Sequence, residues 1–185
     1  MSTWASKISN SLEWAISSND SGKTTSSGSV IQVIQATTSA AQVFNVGGNS
    51  STTFYDIAGL SLSITPRDLN SKIYLVGSIN AGQFGNGYTA YFRFTRDGVA
   101  VGSSNSLGNG KEAHSGFRSG NEYQHNNISM NFLDSPISSS AINYKVQICN
   151  TGGASYPSYI NRPHSPDTTW MFGTMTVLTA MEIAA

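Results

Sequence analysis

The chain has 185 residues, 38% of them hydrophobic and 10% aromatic, which supplies one packed core and argues against disorder of the whole chain. Ten Lys and Arg balance ten Asp and Glu, and charged residues are only 11% of the chain, so there is no electrostatic footprint for nucleic acid or an anionic membrane. The single cysteine, Cys149, excludes an intramolecular disulfide framework and a cysteine-rich zinc site and fits folding in a reducing cytoplasm.

From the N-terminus, Trp4, Ile8, Leu12 and Ile16 stand four apart, the spacing of a narrow helical stripe, with Ser2 or Thr3 placed to cap it. This predicts a short helix over residues 1–16. The segment has no basic start, continuous apolar run or small-residue cleavage site, so it does not read as a secretory signal, and the Asn-x-Ser triplets at Asn19, Asn49 and Asn127 carry no glycosylation meaning. Residues 17–29, "SSNDSGKTTSSGS", contain no apolar side chain and read as a flexible linker.

From Val30 to Ala185 the pattern is strand after strand, which predicts an all-β head, an antiparallel jelly-roll-like β-sandwich. The expected strands are 30–36, 42–46, 52–57, 60–65, 72–80, 88–95, 99–103, 128–133, 141–149 and 170–183. Asp97-Gly98 between "FTR" and "VAV" is the clearest hairpin signal, because both residues can take positive φ. In "LSLSIT" the alternation is clean, whereas in "KIYLV" Ile73 and Leu75 face one way and Tyr74 and Val76 the other, so both sides are apolar and the second needs a cover. The C-terminal run, with Trp170, Met171 and Phe172 consecutive, is too short and too rich in threonine for a membrane-spanning helix. With period two it places Met175, Val177, Thr179, Met181 and Ile183 on one face.

Two connections, 102–127 and 150–168, are long, polar and rich in Gly, Asn and Pro, and are expected to be functional or mobile loops. They hold Phe117, Arg118, Tyr123, Tyr156 and Tyr159, a mixture of aromatic faces and polar donors suited to stacking on and hydrogen-bonding a sugar. Other chemistry is poorly served. "SGKT" at 21–24 has Ser17 where a phosphate-binding loop needs its first glycine, and no G-x-S-x-G turn is present. His114 and His125 lack a matching pair of ligands, so no metal or other cofactor is expected. Asp56, Asp97 and Asp134 stand at strand ends or turns, where aspartate serves backbone geometry, and no catalytic residue is assigned.

The succession "LSLSITPRDLNSKIYLVGSI", "FRFTRDGVAVG", "MNFLDSPISSSAINYKVQI" and "SYINRP" leading into "GTMTVLTAMEI" resembles β-structured modules of tailed bacteriophages, especially those of marine bacteria and cyanobacteria. Such modules occur in tail-fibre and other virion structural proteins, and their sandwich is similar to the trimeric heads of the complement and tumour-necrosis-factor type. The resemblance implies a non-enzymatic virion protein, made and assembled in the bacterial host cytoplasm. On this reading Trp4, Ile8, Leu12 and Ile16 dock the chain on other virion proteins. A homotrimer would cover either Tyr74 and Val76 or their opposite face, the alternative being a loop of the same subunit. The five loop residues would contact a host surface glycan. A capsid decoration protein is the rival within assembly, and a carbohydrate-active enzyme, which needs two carboxylates across a cleft, is the rival outside it.

Overall fold

The computed structural model describes residues 26–45, 53–84, 88–105, 112–165 and 172–185. The strands among them are β1 (Val30–Thr38), β2 (Gln42–Phe44), β3 (Tyr55–Ile64), β4 (Lys72–Gln83), β5 (Thr89–Arg96), β6 (Val99–Val101), β7 (Ser115–Arg118), β8 (His125–Asp134), β9 (Ile142–Asn150), β10 (Ser158–Ile160) and β11 (Thr176–Ile183). The only helical element among the described residues is a 3₁₀ turn at Gly153–Ser155. The helix expected over 1–16, with Trp4, Ile8, Leu12 and Ile16, lies outside the described residues, as does the linker up to residue 25.

The chain forms an all-β sandwich. The front sheet, six-stranded, runs β1-β11-β4-β10-β2, with β8 on the other edge of β4; the back sheet, five-stranded, runs β3-β9-β5-β6, with β7 also on β5. All pairings are antiparallel. Successive long strands alternate between the sheets, β1, β4, β8 and β11 in front and β3, β5 and β9 behind, which is the winding of a jelly roll.

Period-two alternation builds the core. Ile73, Leu75 and Ile79 of β4, Met130 of β8 and Leu178 and Ala180 of β11 point inward against Phe92 and Phe94 of β5, Tyr144, Val146 and Ile148 of β9 and Leu60 and Ile64 of β3, all buried. A polar link crosses from β8 to the back sheet. Tyr144 Oη donates to Asp134 Oδ2 at 2.6 Å, and Arg96 donates to both carboxylate oxygens at 2.9 and 3.0 Å. Burial, reinforced by the bond to Asp134, pushes the Tyr144 phenol well above its usual range, so it remains a donor. Glu182, also inward and fully buried, accepts from Gln32 Nε2 at 2.6 Å and from the Arg67 backbone N–H at 2.7 Å.

The open question of the "KIYLV" face resolves in one direction: Ile73 and Leu75 are the core residues, and Tyr74 and Val76 lie on the outer face of the front sheet, half-buried. There Val33, Met181, Tyr74 and Leu133 are consecutive cross-strand partners, a single apolar row across β1, β11, β4 and β8. Its two ends, Val33 and Leu133, are 57% and 46% exposed. The outer face of the back sheet carries a polar network beside the exposed Tyr91. Arg93 Nε donates to Gln147 Oε1, while Gln147 Nε2 and Lys145 Nζ donate to the two oxygens of Asp56.

Several boundaries differ from those expected. The runs 52–57 and 60–65 join into β3, whose register against β9 shifts between Asp56 and Ser61; Gly59, at φ 81°, lets the chain continue through the irregularity. The connections 102–127 and 150–168 are not structureless, because they contain β7, β10 and the first residues of β8. Their alternation is masked by Gly116, against which the Tyr91 ring packs, and by Ser158, a buried polar residue. The C-terminal strand starts at Thr176, and residues 172–175 precede it without strand pairing. The strand expected over 99–103 ends at Val101, because Gly102 takes φ 62° with the Phe132 ring where a Cβ would be. Residues 26–29 of the expected linker are already tied down, Gly28 N–H donating to Ala184 O and Ala184 N–H to Ser29 O, each at 2.9 Å. Asp97 (φ 48°) and Gly98 (φ 87°) form the expected tight turn, with Asp97 Oδ1 accepting from the Asn143 backbone N–H. Asp134 does more than shape its turn, since it carries the buried link to Arg96 and Tyr144.

The chain leaves β10 through Asn161, which is buried at φ 62°. Its backbone N–H donates to Asn80 O, its Nδ2 to Thr38 O and Ala40 O, and its Oδ1 accepts from Thr176 Oγ1. Asparagine tolerates this backbone conformation better than alanine does. Asn161→Ala is therefore expected to lower stability by about 2–4 kcal/mol, the range for stranding buried polar groups and adding backbone strain. Urea unfolding of the two proteins measures it, and a loss below about 0.5 kcal/mol, typical of ordinary surface substitutions, would contradict this role.

Candidate functional site

One end of the sandwich gathers the ends of β4 and β5, the turn after β9, the segment 161–165 and the loop 119–124. Segment 161–165 crosses the outer face of β4 at Gly82. A Cβ there would lie 2.6 Å from both Arg162 O and Pro163 Cα, so only glycine allows so close a crossing. The segment is tied to the neighbouring loop by Ser165 N–H donating to Glu122 O at 3.1 Å.

Gly152 has a similar role in the turn after β9, where a Cβ would stand 2.5 Å from Tyr156 Cβ and 3.1 Å from Tyr88 Cγ. Asn150 fixes this turn: its Nδ2 donates to Phe44 O, Gly153 O and Tyr156 O, and its Oδ1 accepts from Gly152 N–H. These constraints build a continuous series of ring contacts. Tyr88 stacks on Tyr156 at 4.2 Å between centroids; Tyr156 meets Phe84 at 5.5 Å; Phe84 meets His164 edge-on at 4.3 Å; His164 meets Tyr159 at 5.3 Å. The Arg162 guanidinium lies 4.5 Å from the centroid of the Tyr159 ring.

Protonation follows from burial. Burial raises the Tyr159 phenol above its usual range, against a smaller opposing effect of Arg162, and the phenol keeps its hydrogen while Tyr159 Oη and His164 Nδ1 share a hydrogen bond of 2.6 Å. His164 Nε2 stands 4.0 Å from Glu122 Oε2, beyond hydrogen-bond reach.

The five loop residues singled out in the sequence do not form one surface. Phe117 points inward from β7 and stacks with Phe92 at 6.2 Å, as part of the core margin. Arg118 is the cross-strand partner of Thr89 and alternates to the outer side of the back sheet. Tyr159 is only 4% exposed and lies under Arg162 and His164. Tyr123 is 55% exposed in the 119–124 loop, and Tyr156 is half-buried in the ring series. Tyr156 and Tyr159 are thus brought together, through Phe84 and His164. Phe84 and Tyr88 were missed because both sit at strand ends; the glycines between them in "FGNGY" were the available sign of a turn.

Carboxylates with structural partners dominate the acidic residues. Asp56 is tied to Lys145 and Gln147, Asp97 to the Asn143 N–H, Asp134 to Arg96 and Tyr144, and Glu182 to Gln32 and the Arg67 N–H. Among the described residues no group of three His, Cys, Asp or Glu is placed to hold a metal ion.

His125 opens β8 opposite Gly82, with Nε2 3.3 Å from Thr174 Oγ1, and burial holds its pKa below the ordinary histidine value. The unfolded chain therefore takes up this proton first, and the stability that the neutral ring contributes is present above the ordinary pKa and lost as pH falls below it. The unfolding midpoint is expected to drop between about pH 7.5 and pH 5.5, less steeply in His125→Gln. Thermal melts across that range test this, and identical slopes for the two proteins would refute it.

No known protein family matches the sequence. No curated protein matches it either. Among solved structures the chain is similar to that of the Gx strain of infectious bursal disease virus, at 13% identity and TM-score 0.47, over 88% of this chain and 39% of that one. It is similar also to the T13 viral particle of the same virus, at 16% identity and TM-score 0.45, over 88% of this chain and 37% of that one.

Proposed function

We propose that this chain is a non-enzymatic structural protein of a bacteriophage virion, a homotrimeric head on a fibre, tail tip or head appendage, with its loop end turned outward for host attachment. The observation that carries the reading is the apolar row Val33, Met181, Tyr74 and Leu133 on the outer face of the front sheet, continued by Val76, Val177 and Ile183. The outer face of the back sheet, with its Arg93, Gln147, Asp56 and Lys145 network, suits water instead. A charge-poor sandwich with an apolar row on one outer face and a charged network on the other has a reason to associate through the row. The resemblance of the strand succession to phage virion modules supplies the symmetry and the particle. Residues 1–16 serve as the docking segment, since their apolar stripe needs a partner.

Tyr74→Asp places an unpaired charge in the middle of the row. It is expected to weaken association about 100-fold or more, equivalent to roughly 3 kcal/mol, while the unfolding signal of the separated chain stays close to native. Sedimentation at micromolar concentration is the measurement. A native chain that sediments as a monomer, or a variant that remains trimeric, would overturn the subunit contact.

Deleting residues 1–20 is expected to leave a soluble trimer that no longer joins particles. Quantifying this protein in purified virions tests the docking role, and unchanged incorporation would remove it. A trimer that binds isolated capsid shells and raises their thermal stability would favour the decoration role over host attachment.

A further inference from the structure

We infer that the surface of Tyr88 and Tyr156, bordered by Phe84, is a binding site for a neutral pyranose ring; the inference deepens the host-attachment reading above and rests on it. The site is built from three separate segments, and its backbone is held in advance. Asn150 donates to Tyr156 O, Gly152 N–H donates back to Asn150 Oδ1, and Thr89 N–H donates to Thr151 Oγ1 at 2.9 Å, which fixes the residue after Tyr88 against the same turn. The pair stacks at 4.2 Å with 29° between planes, and Phe84 meets Tyr156 at 58°, so the three rings form a rigid angled surface. All three are half-buried, which leaves part of each in solvent. Rigid rings with few torsions lose little entropy on binding.

The polar groups point to the ligand class. Neither the Tyr88 nor the Tyr156 hydroxyl has a hydrogen-bond partner among the described residues. Nearby, the buried Arg162 Nε also has none. Apolar C–H faces of a sugar ring stack on aromatic planes, and its hydroxyls both donate and accept, as free phenols require. The Arg162 guanidinium rests on the Tyr159 ring, and Glu122 Oε2 stands 4.0 Å from His164 Nε2, on the far side of Phe84 in the ring series from Tyr156 and Tyr88. Arg162 Nε is buried out of a ligand's reach, so among the described residues the phenols are the polar groups offered at the rings, and the ligand is a neutral sugar. A single site of this size binds weakly, and three copies on one trimer would supply the avidity.

The test is saturation-transfer NMR on the full-length protein with methyl glucoside, methyl galactoside and methyl mannoside as probes, and glucuronate as the charged comparison. At least one methyl pyranoside is expected to receive saturation at its ring protons. The signal should vanish in Tyr88→Ser/Tyr156→Ser, weaken about 10-fold in affinity in Tyr88→Phe/Tyr156→Phe, which keeps the rings, and persist in Tyr123→Ser. Circular dichroism melts verify that each variant is folded; should the serine pair fail to fold, the phenylalanine pair decides. No binding of any methyl pyranoside, undiminished binding in the deciding pair, or preferential binding of glucuronate would overturn the inference. Particles carrying the deciding pair separate this inference from the reading beneath it. Lost adsorption to host cells without pyranoside binding overturns the ligand class and leaves attachment standing, whereas undiminished adsorption overturns attachment itself.

Discussion

The front sheet is organised by the hydrogen bonding of one strand, β4, which pairs with β11 over residues 72–78, with β10 over 81–83 and with β8 along its other edge. Side chains alternate with a period of two, so the register of β4 decides which face every neighbour presents. Ile73, Leu75 and Ile79 turned inward bring Leu178, Ala180, Met130 and Ile128 with them. Tyr74 turned outward brings Met181 and Leu133. A slip of one residue would bury Tyr74 and Val76 and expose three fully buried apolar side chains, so core packing fixes the composition of the outer face as well.

Buried polar groups then fix what the apolar core leaves free. The core is non-directional, but Asp134 accepts only where Tyr144 and Arg96 can reach it, and Glu182 only where Gln32 and the Arg67 N–H meet it. The first ties β8 to the back sheet, and the second holds the β3–β4 connection against β1 and β11. Asn150 and Asn161 do the same for the loop end with amides, each joining backbone groups far apart in sequence. In a chain with so few charges, neutral amides make these ties without the desolvation cost of buried ions.

The sequence was legible where alternation was complete. β1, β4, β5, β8, β9 and β11 and the Asp97-Gly98 turn follow from period two and turn chemistry. β7 and β10 were not legible, because strands of four and three residues give too few alternations and theirs are broken by Gly116 and Ser158. The joining of two expected strands into β3 depended on Gly59, which reads equally well as a turn or as a bulge. For the candidate site, composition singled out five loop residues that the fold does not gather on one surface. Phe117, Arg118 and Tyr159 are close in loop character, yet alternation sends them to the core, the back face and the front face. Only tertiary contacts reveal that Tyr156 meets Phe84 and Tyr88, since the three are brought together by β4, β5 and the turn after β9.

The apolar row and the ring series lie at opposite ends of β4, which governs whether association and recognition compete. Tyr74 and Gly82 are eight residues apart along one strand, about 26 Å at the usual rise. Between them the outer face carries Ser78 and Asn80, with Asn127 Nδ2 donating to both side chains and Asn80 Nδ2 donating to Met175 O. These groups satisfy one another and leave little apolar surface for a partner to cover. A subunit contact centred on the Tyr74 row therefore has a natural limit before it reaches segment 161–165. Tyr88 and Tyr156 lie farther still, beyond the strand ends, so the proposed association through the row would leave their rings accessible. The polar stretch of β4 thus separates the proposed subunit contact from the proposed sugar site.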